Sequence, residues 1–132
     1  MKVLAPISIG ELFDKLSILQ IKKEKILNPI KLSNVQNEIV ELQKSITDSS
    51  INNQPYSKVL AKLRTSLFEI NMALWNIEDE LRGLESQKKF DQKFISLARR
   101  VYITNDKRAE IKKEINNLTG SDIIEEKHYS EY

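Results

Sequence analysis

Between Tyr56 and Gln87 the apolar positions keep a strict beat. Leu60, Leu63, Leu67, Ile70, Leu74, Ile77, Leu81 and Leu84 are separated alternately by three and four residues. That spacing returns every side chain to one narrow face of an α-helix, and it is the spacing of helices packed side by side. No proline interrupts the run, and Gly83 is its only glycine. At 1.5 Å per residue such a helix is about 45 Å long. A seam of that length must be covered by other segments.

The segments before and after it carry the same rhythm. Ser8 with Glu11 three residues on forms a capping box, and Ile7 with Leu12 forms the matching hydrophobic staple. A first helix is predicted over Ile9 to Leu27. Leu12, Phe13, Leu16, Leu19 and Ile26 form its apolar stripe, and Lys22, Lys23 and Lys25 suit its negative end. Asn28-Pro29 breaks it and can open a second helix, since Asn caps well and Pro is favoured at the first helical position. Leu32, Val35, Ile39, Leu42 and Ile46 carry that helix to about Thr47. Asp48 to Pro55 is rich in turn formers and reads as the one clear loop. After the long helix, Asp91 is placed to cap a last one, with Phe90 and Ile95 as a staple. That helix carries Phe94, Leu97, Val101, Ile111, Ile115 and Leu118, and Gly120 ends it.

Short connections make neighbouring helices antiparallel. The predicted fold is therefore all-α: an antiparallel four-helix bundle of two helical hairpins, the C-terminal hairpin longer and protruding. Residues 1–120 form the single domain. Residues 121–132 form a polar tail whose Ile123, Ile124, Tyr129 and Tyr132 either dock it or leave it to fray.

Composition agrees with this picture and narrows the chemistry. Three glycines, three prolines and 30% charged residues in 132 suit one helical domain. The absence of cysteine excludes disulfides, thiolate zinc sites and a thiol nucleophile. A net charge of +2, from 21 basic and 19 acidic residues, gives no general attraction to nucleic acid or anionic membrane. No stretch approaches eighteen apolar residues and the first residues form no apolar leader, so the expectation is a soluble cytoplasmic protein. Phosphate-binding glycine loops, a nucleophile elbow and H-E-x-x-H are all missing. Glu125 and His128 have the E-x-x-H spacing of carboxylate-bridged di-iron bundles, but such sites need two copies and two further carboxylates. With one copy in a tail, a solvated cluster is expected, and no metal, cofactor or catalytic residue. Arg99, Arg100, Lys107, Arg108, Lys112 and Lys113 alternate with Asp106, Glu110 and Glu114 at helical spacing. This is the pattern of a solvated face with i,i+4 pairs, not of a nucleic-acid surface.

The pattern departs from its own rule in two places. Phe68, Met72 and Trp75 lie at i, i+4, i+7 on a face of the long helix well away from its leucine seam. They either pack on another helix of the same chain or form a homodimer or partner surface, where Trp, Phe and Met are favoured anchors. In the last helix the rhythm from Leu97 and Val101 leads to Thr104 and Arg108, with Asn105 beside them. In a hairpin turning near Lys89, Arg108 faces Glu69 and Ile70, while Arg99 and Arg100 face Glu78 and Asp79. One reading is a set of ion pairs that fixes the hairpin register. The other is a pocket for a small anion, with Arg108, Arg99 or Arg100 as bidentate donors, Asn105 as a polar contact and Asp14 as a further member.

Four stretches carry a resemblance: Pro6 to Lys22 (PISIGELFDKLSILQIK), Leu74 to Arg82 (LWNIEDELR), Phe94 to Ala109 (FISLARRVYITNDKRA) and Gly120 to Tyr129 (GSDIIEEKHY). In order and spacing they resemble an uncharacterised bacterial family of short helical proteins, a domain of unknown function. Phe13 and His128 depart from that pattern, the first replacing a smaller aliphatic residue and the second a small polar one. The resemblance brings no activity, cofactor or active site. It implies an accessory role in surface-polysaccharide synthesis, since such proteins occur near glycosyltransferase genes. Ile77-Glu-Asp-Glu-Leu81 is also similar to a stretch of the all-helical chorismate mutases, but the Arg, Lys and Gln set of those enzymes does not align here. The function expected is a non-enzymatic interaction or scaffold module that self-associates, with a small-anion-binding or catalytic helical protein as the alternative.

Overall fold

A computed structural model describes all 132 residues and holds four α-helices and no strand. They are α1 (Ile9–Lys25), α2 (Pro29–Asp48), α3 (Ser57–Ser86) and α4 (Gln92–Thr119), with a single 3₁₀ turn at Ile51–Asn53. The capping chemistry sets most of these limits. The Ser8 hydroxyl accepts from the Glu11 N–H at 3.0 Å, and Asn28 Oδ1 accepts from the N–H groups of Ile30 and Lys31. Asp91 accepts from the Phe94 N–H, and Gly120 closes α4 in the left-handed region at φ 65°.

Three local expectations are corrected. α1 stops two residues short of Leu27, because Ile26 to Asn28 must be extended for Pro29 to enter α2. The Glu11 carboxylate reaches Lys112 at 2.6 Å instead of folding back on its own helix end. Phe90 and Ile95 both stay exposed, and the Phe90 ring instead meets Phe94 edge-on, with centroids 5.2 Å apart.

The leucine seam of α3 faces inward. Leu60, Leu67, Leu74 and Ile77 are buried, and Leu63, Ile70, Leu81 and Leu84 are half-buried. The segment at the centre, however, is α1. Leu12, Phe13, Leu16, Leu19 and Ile21 are all buried, and so are Gly10, Asp14 and Ser17. Only α1 packs on all three other helices. It lies antiparallel to α4, with Gly10 beside Asn116 and Asp14 beside Arg108, and parallel to α3, with Phe13 beside Arg64 and Ser17 beside Asn71. α2 covers its other side through Val35, Ile39 and Ile46, and Ile51 of the loop is drawn into the same core. Each fully buried large side chain contributes roughly 1.5–3 kcal/mol. The apolar stripe of α1 therefore supplies much of what joins the hairpin α3–α4 to the rest. Beyond Ile77 the hairpin is exposed except where its own two helices meet.

Candidate functional site

Residues 10, 14 and 17 share one face of α1, and that face is aimed at the cleft between α3 and α4. Gly10 makes the approach possible. A β-carbon there would stand 2.5 Å from the Lys112 carbonyl oxygen and 2.9 Å from Asn116 Oδ1. Without one, the Gly10 N–H donates to Asn116 Oδ1 at 2.7 Å.

One turn on, Asp14 is buried to 1% exposure. Its carboxylate takes a two-pronged grip from Arg108: Nε donates to Oδ1 at 3.0 Å and Nη2 to Oδ2 at 2.5 Å. Asn71 Nδ2 donates to Oδ1 at 2.8 Å and to Ser17 Oγ at 2.6 Å, and the Ser17 hydroxyl donates to the Asp14 carbonyl at 2.8 Å. Lys112 Nζ sits 2.6 Å from Glu11, 3.6 Å from Glu125 and 3.7 Å from Asp14. Ser8 Oγ donates to Glu125 at 2.9 Å. No buried side-chain nitrogen or oxygen lacks a partner.

The electrostatics follow from this geometry. Burial pushes the Asp14 carboxyl up, but hydrogen bonds from Arg108 and Asn71 and the charges of Arg108 and Lys112 outweigh it and hold the pKa below the usual value. The hydrogen bond to Asp14 raises Arg108. Lys112 is raised by its three carboxylates against the opposing effect of burial. A carboxyl depressed on folding gives stability that is present above its unfolded pKa, about 3.9, and lost as pH falls through its folded value. The wild type should therefore lose stability as pH falls below about 4, and Asp14→Asn should flatten that loss; urea unfolding at pH 5 and pH 3 measures both.

The pairing expected across the hairpin is corrected. Arg108 meets Asp14 of α1, not Glu69, because α1 and not α3 fills the space in front of it. Arg99 and Arg100 are exposed, enter none of the ion pairs and lie more than two turns from Arg108. The only ion pair between α3 and α4 is the exposed Lys93–Glu80, at 3.7 Å. Asn105 sits 3.5 Å from Arg108 Nη1. Asn71, Ser17, Glu11, Lys112 and Glu125 join the cluster without having been singled out for it. For Ser17 the available signal was a polar residue set in the apolar stretch of α1; Asn71, Lys112 and Glu125, on α3, α4 and the tail, carried none.

The tail is docked. It turns back at Gly120 and retraces α4: Ser121 Oγ accepts from the Ile9 N–H, and Lys127 and Tyr132 both bond Asp106. The Tyr132 ring meets Tyr102 edge-on. A groove of about 1,050 Å³ runs between tail and helix, with Arg108 and Lys112 in its wall and His128 and Tyr129 on the tail side. Three carboxylates, Glu11, Asp14 and Glu125, surround two cations, so the cluster carries its own counter-charge. What it does chemically is tie α1, α3, α4 and the tail together.

Phe68, Met72 and Trp75 are half-buried. Phe68 lines a groove of about 770 Å³ between α1 and α3 with Phe13, Leu16 and Arg64, whose guanidinium lies 4.6 Å above the Phe13 ring. Trp75 lines a separate groove of about 380 Å³ with Ile18, Asp79, Asn105 and Arg108. No group of three or more His, Asp or Glu side chains is gathered closely enough to hold a metal ion. No helix is long and apolar enough to cross a membrane.

No curated protein and no solved structure matches this chain. The family model of DUF6165 does, over residues 1–132, which agrees with the resemblance carried by the four stretches. The chain belongs to that family, a family of unknown function.

Proposed function

We propose that this protein is a non-enzymatic helical interaction module that self-associates through the second face of α3. The observation that supports this reading is the contrast between two surfaces. The polar centre at Asp14 and Arg108 is neutralised within the chain. The stripe of Phe68, Met72 and Trp75 is left half-exposed, with Phe68 and Trp75 each lining an open groove. Aromatic and Met side chains in that setting are the residue types enriched at interfaces, and Trp is the strongest single anchor.

Size exclusion with light scattering tests it. The wild type should run at twice its 15.3 kDa chain mass. Trp75→Ala should weaken association by about 2 kcal/mol, roughly thirtyfold in Kd, and move the protein toward the monomer at equal helicity. A wild type that stays monomeric at every concentration overturns the proposal.

A further inference from the structure

The self-association just proposed leaves the arrangement of the two copies open, and the charges flanking the apolar stripe decide it. Arg64, Phe68, Met72, Trp75 and Asp79 lie at i, i+4, i+8, i+11 and i+15, so one face of α3 reads cation, three anchors, anion. Phe68 and Trp75 share a midpoint between Asn71 and Met72. Arg64 and Asp79 share the same midpoint, and so do Ala61 and Arg82, a small side chain opposite a long one. A two-fold axis through that point therefore brings all three pairs into register at once, as an isologous interface requires.

Neither Arg64 nor Asp79 enters any ion pair within the chain. The Arg64 guanidinium lies over the Phe13 ring and lines the open groove beside Phe68. Burial lowers its pKa, the mark of a cation partly stripped of water with no counter-charge supplied. Asp79 is exposed and lines a second groove together with Trp75. A parallel pair would set Arg64 on Arg64 and Asp79 on Asp79, an arrangement opposed by like charge.

We infer that a second copy lies antiparallel across α3, with Met72 near the two-fold axis, Phe68 of each copy against Trp75 of the other, and Arg64 of each paired with the partner's Asp79. The inference rests on the self-association proposed above and adds its geometry.

The chain has no cysteine, so single-cysteine variants report the arrangement directly. Met72→Cys should cross-link to itself under mild oxidation, and Arg64→Cys should cross-link to Asp79→Cys when the two are mixed, since a disulfide forms only between Cα atoms within about 7 Å. Asp79 is exposed, so its replacement leaves the fold intact and keeps the test clean. Arg64→Asp and Asp79→Arg should each raise the dimer Kd about tenfold or more, and the double exchange should restore it. A dimeric wild type in which Arg64→Cys cross-links to itself, or in which the double exchange restores nothing, overturns the antiparallel register and leaves self-association standing. A monomeric wild type overturns both.

Discussion

Arg108→Ala should cost about 3–5 kcal/mol of folding stability, a large share of the 5–15 kcal/mol that holds most domains together. The reason is the state of the group left behind. Asp14 is 1% exposed, and without the guanidinium fork it keeps one amide donor from Asn71 and an ammonium 3.7 Å away at Lys112. That is too little to replace the water a carboxylate loses on burial, so the charge either destabilises the bundle or takes up a proton. The companion experiment separates the worth of the pair from the cost of breaking it. Asp14→Leu with Arg108→Met and Asn71→Leu removes the charges and the amide together, and such apolar replacements of a buried pair are often neutral or better. The expected order in urea unfolding is wild type and triple variant close together, Arg108→Ala far below both. If Arg108→Ala unfolds like the wild type, water reaches Asp14 and the cluster is not the buried tie described above.

Gly10→Ala should have the next largest effect, and its sign runs against helix propensity. At an ordinary helical position Ala is better than Gly by up to about 1 kcal/mol. Here the added carbon would meet a backbone carbonyl at 2.5 Å, and a main chain cannot rotate aside as a side chain can. α1 would have to back away from α4, stretching the Gly10–Asn116, Glu11–Lys112 and Asp14–Arg108 contacts together. Overpacking of this kind typically costs 1–3 kcal/mol, and the coupled polar contacts place this case at about 3. Gly83→Ala is the control: Gly83 is exposed in α3 with nothing within 4 Å of the added carbon. It should gain up to about 1 kcal/mol. Thermal melts of the two variants should therefore move in opposite directions.

These two sites also mark what the sequence made readable. The helix limits at Ser8, Asn28, Asp91 and Gly120 were legible because capping is chemistry between near neighbours, and the Leu60–Leu84 seam was legible because its period repeats seven times without error. Asp14 and Arg108 were both candidates, but their pairing was not visible. A scheme of two hairpins set α3 in front of Arg108, and only the insertion of α1 into the cleft replaces Glu69 with Asp14. The signal for that insertion was Gly10, which a capping box and an apolar stripe had already absorbed as an ordinary helical residue. Asn71 was hidden for a related reason: it lies between Ile70 and Met72, at the edge where seam and second face meet, and its amide acquires meaning only from a carboxylate 57 positions earlier. Of the four apolar side chains expected to dock the tail, all stay exposed and only Tyr132 meets α4, through Asp106 and Tyr102. The rest of the docking runs through Ser121, Glu125 and Lys127, polar residues with no apolar pattern to betray them.

The beginning of α1 carries one more consequence. Its cap hydroxyl, the amide of Ile9 and the amide of Gly10 are bonded by Glu125, Ser121 and Asn116, more than a hundred positions further along. The α3–α4 hairpin, by contrast, is built from contacts close in sequence and can form quickly. On the ribosome the apolar stripe of α1 can be covered by α2 and α3 as they emerge, but its polar face must wait for α4. Until then Asp14 is a carboxylate without its Arg108 partner in a bundle only partly closed.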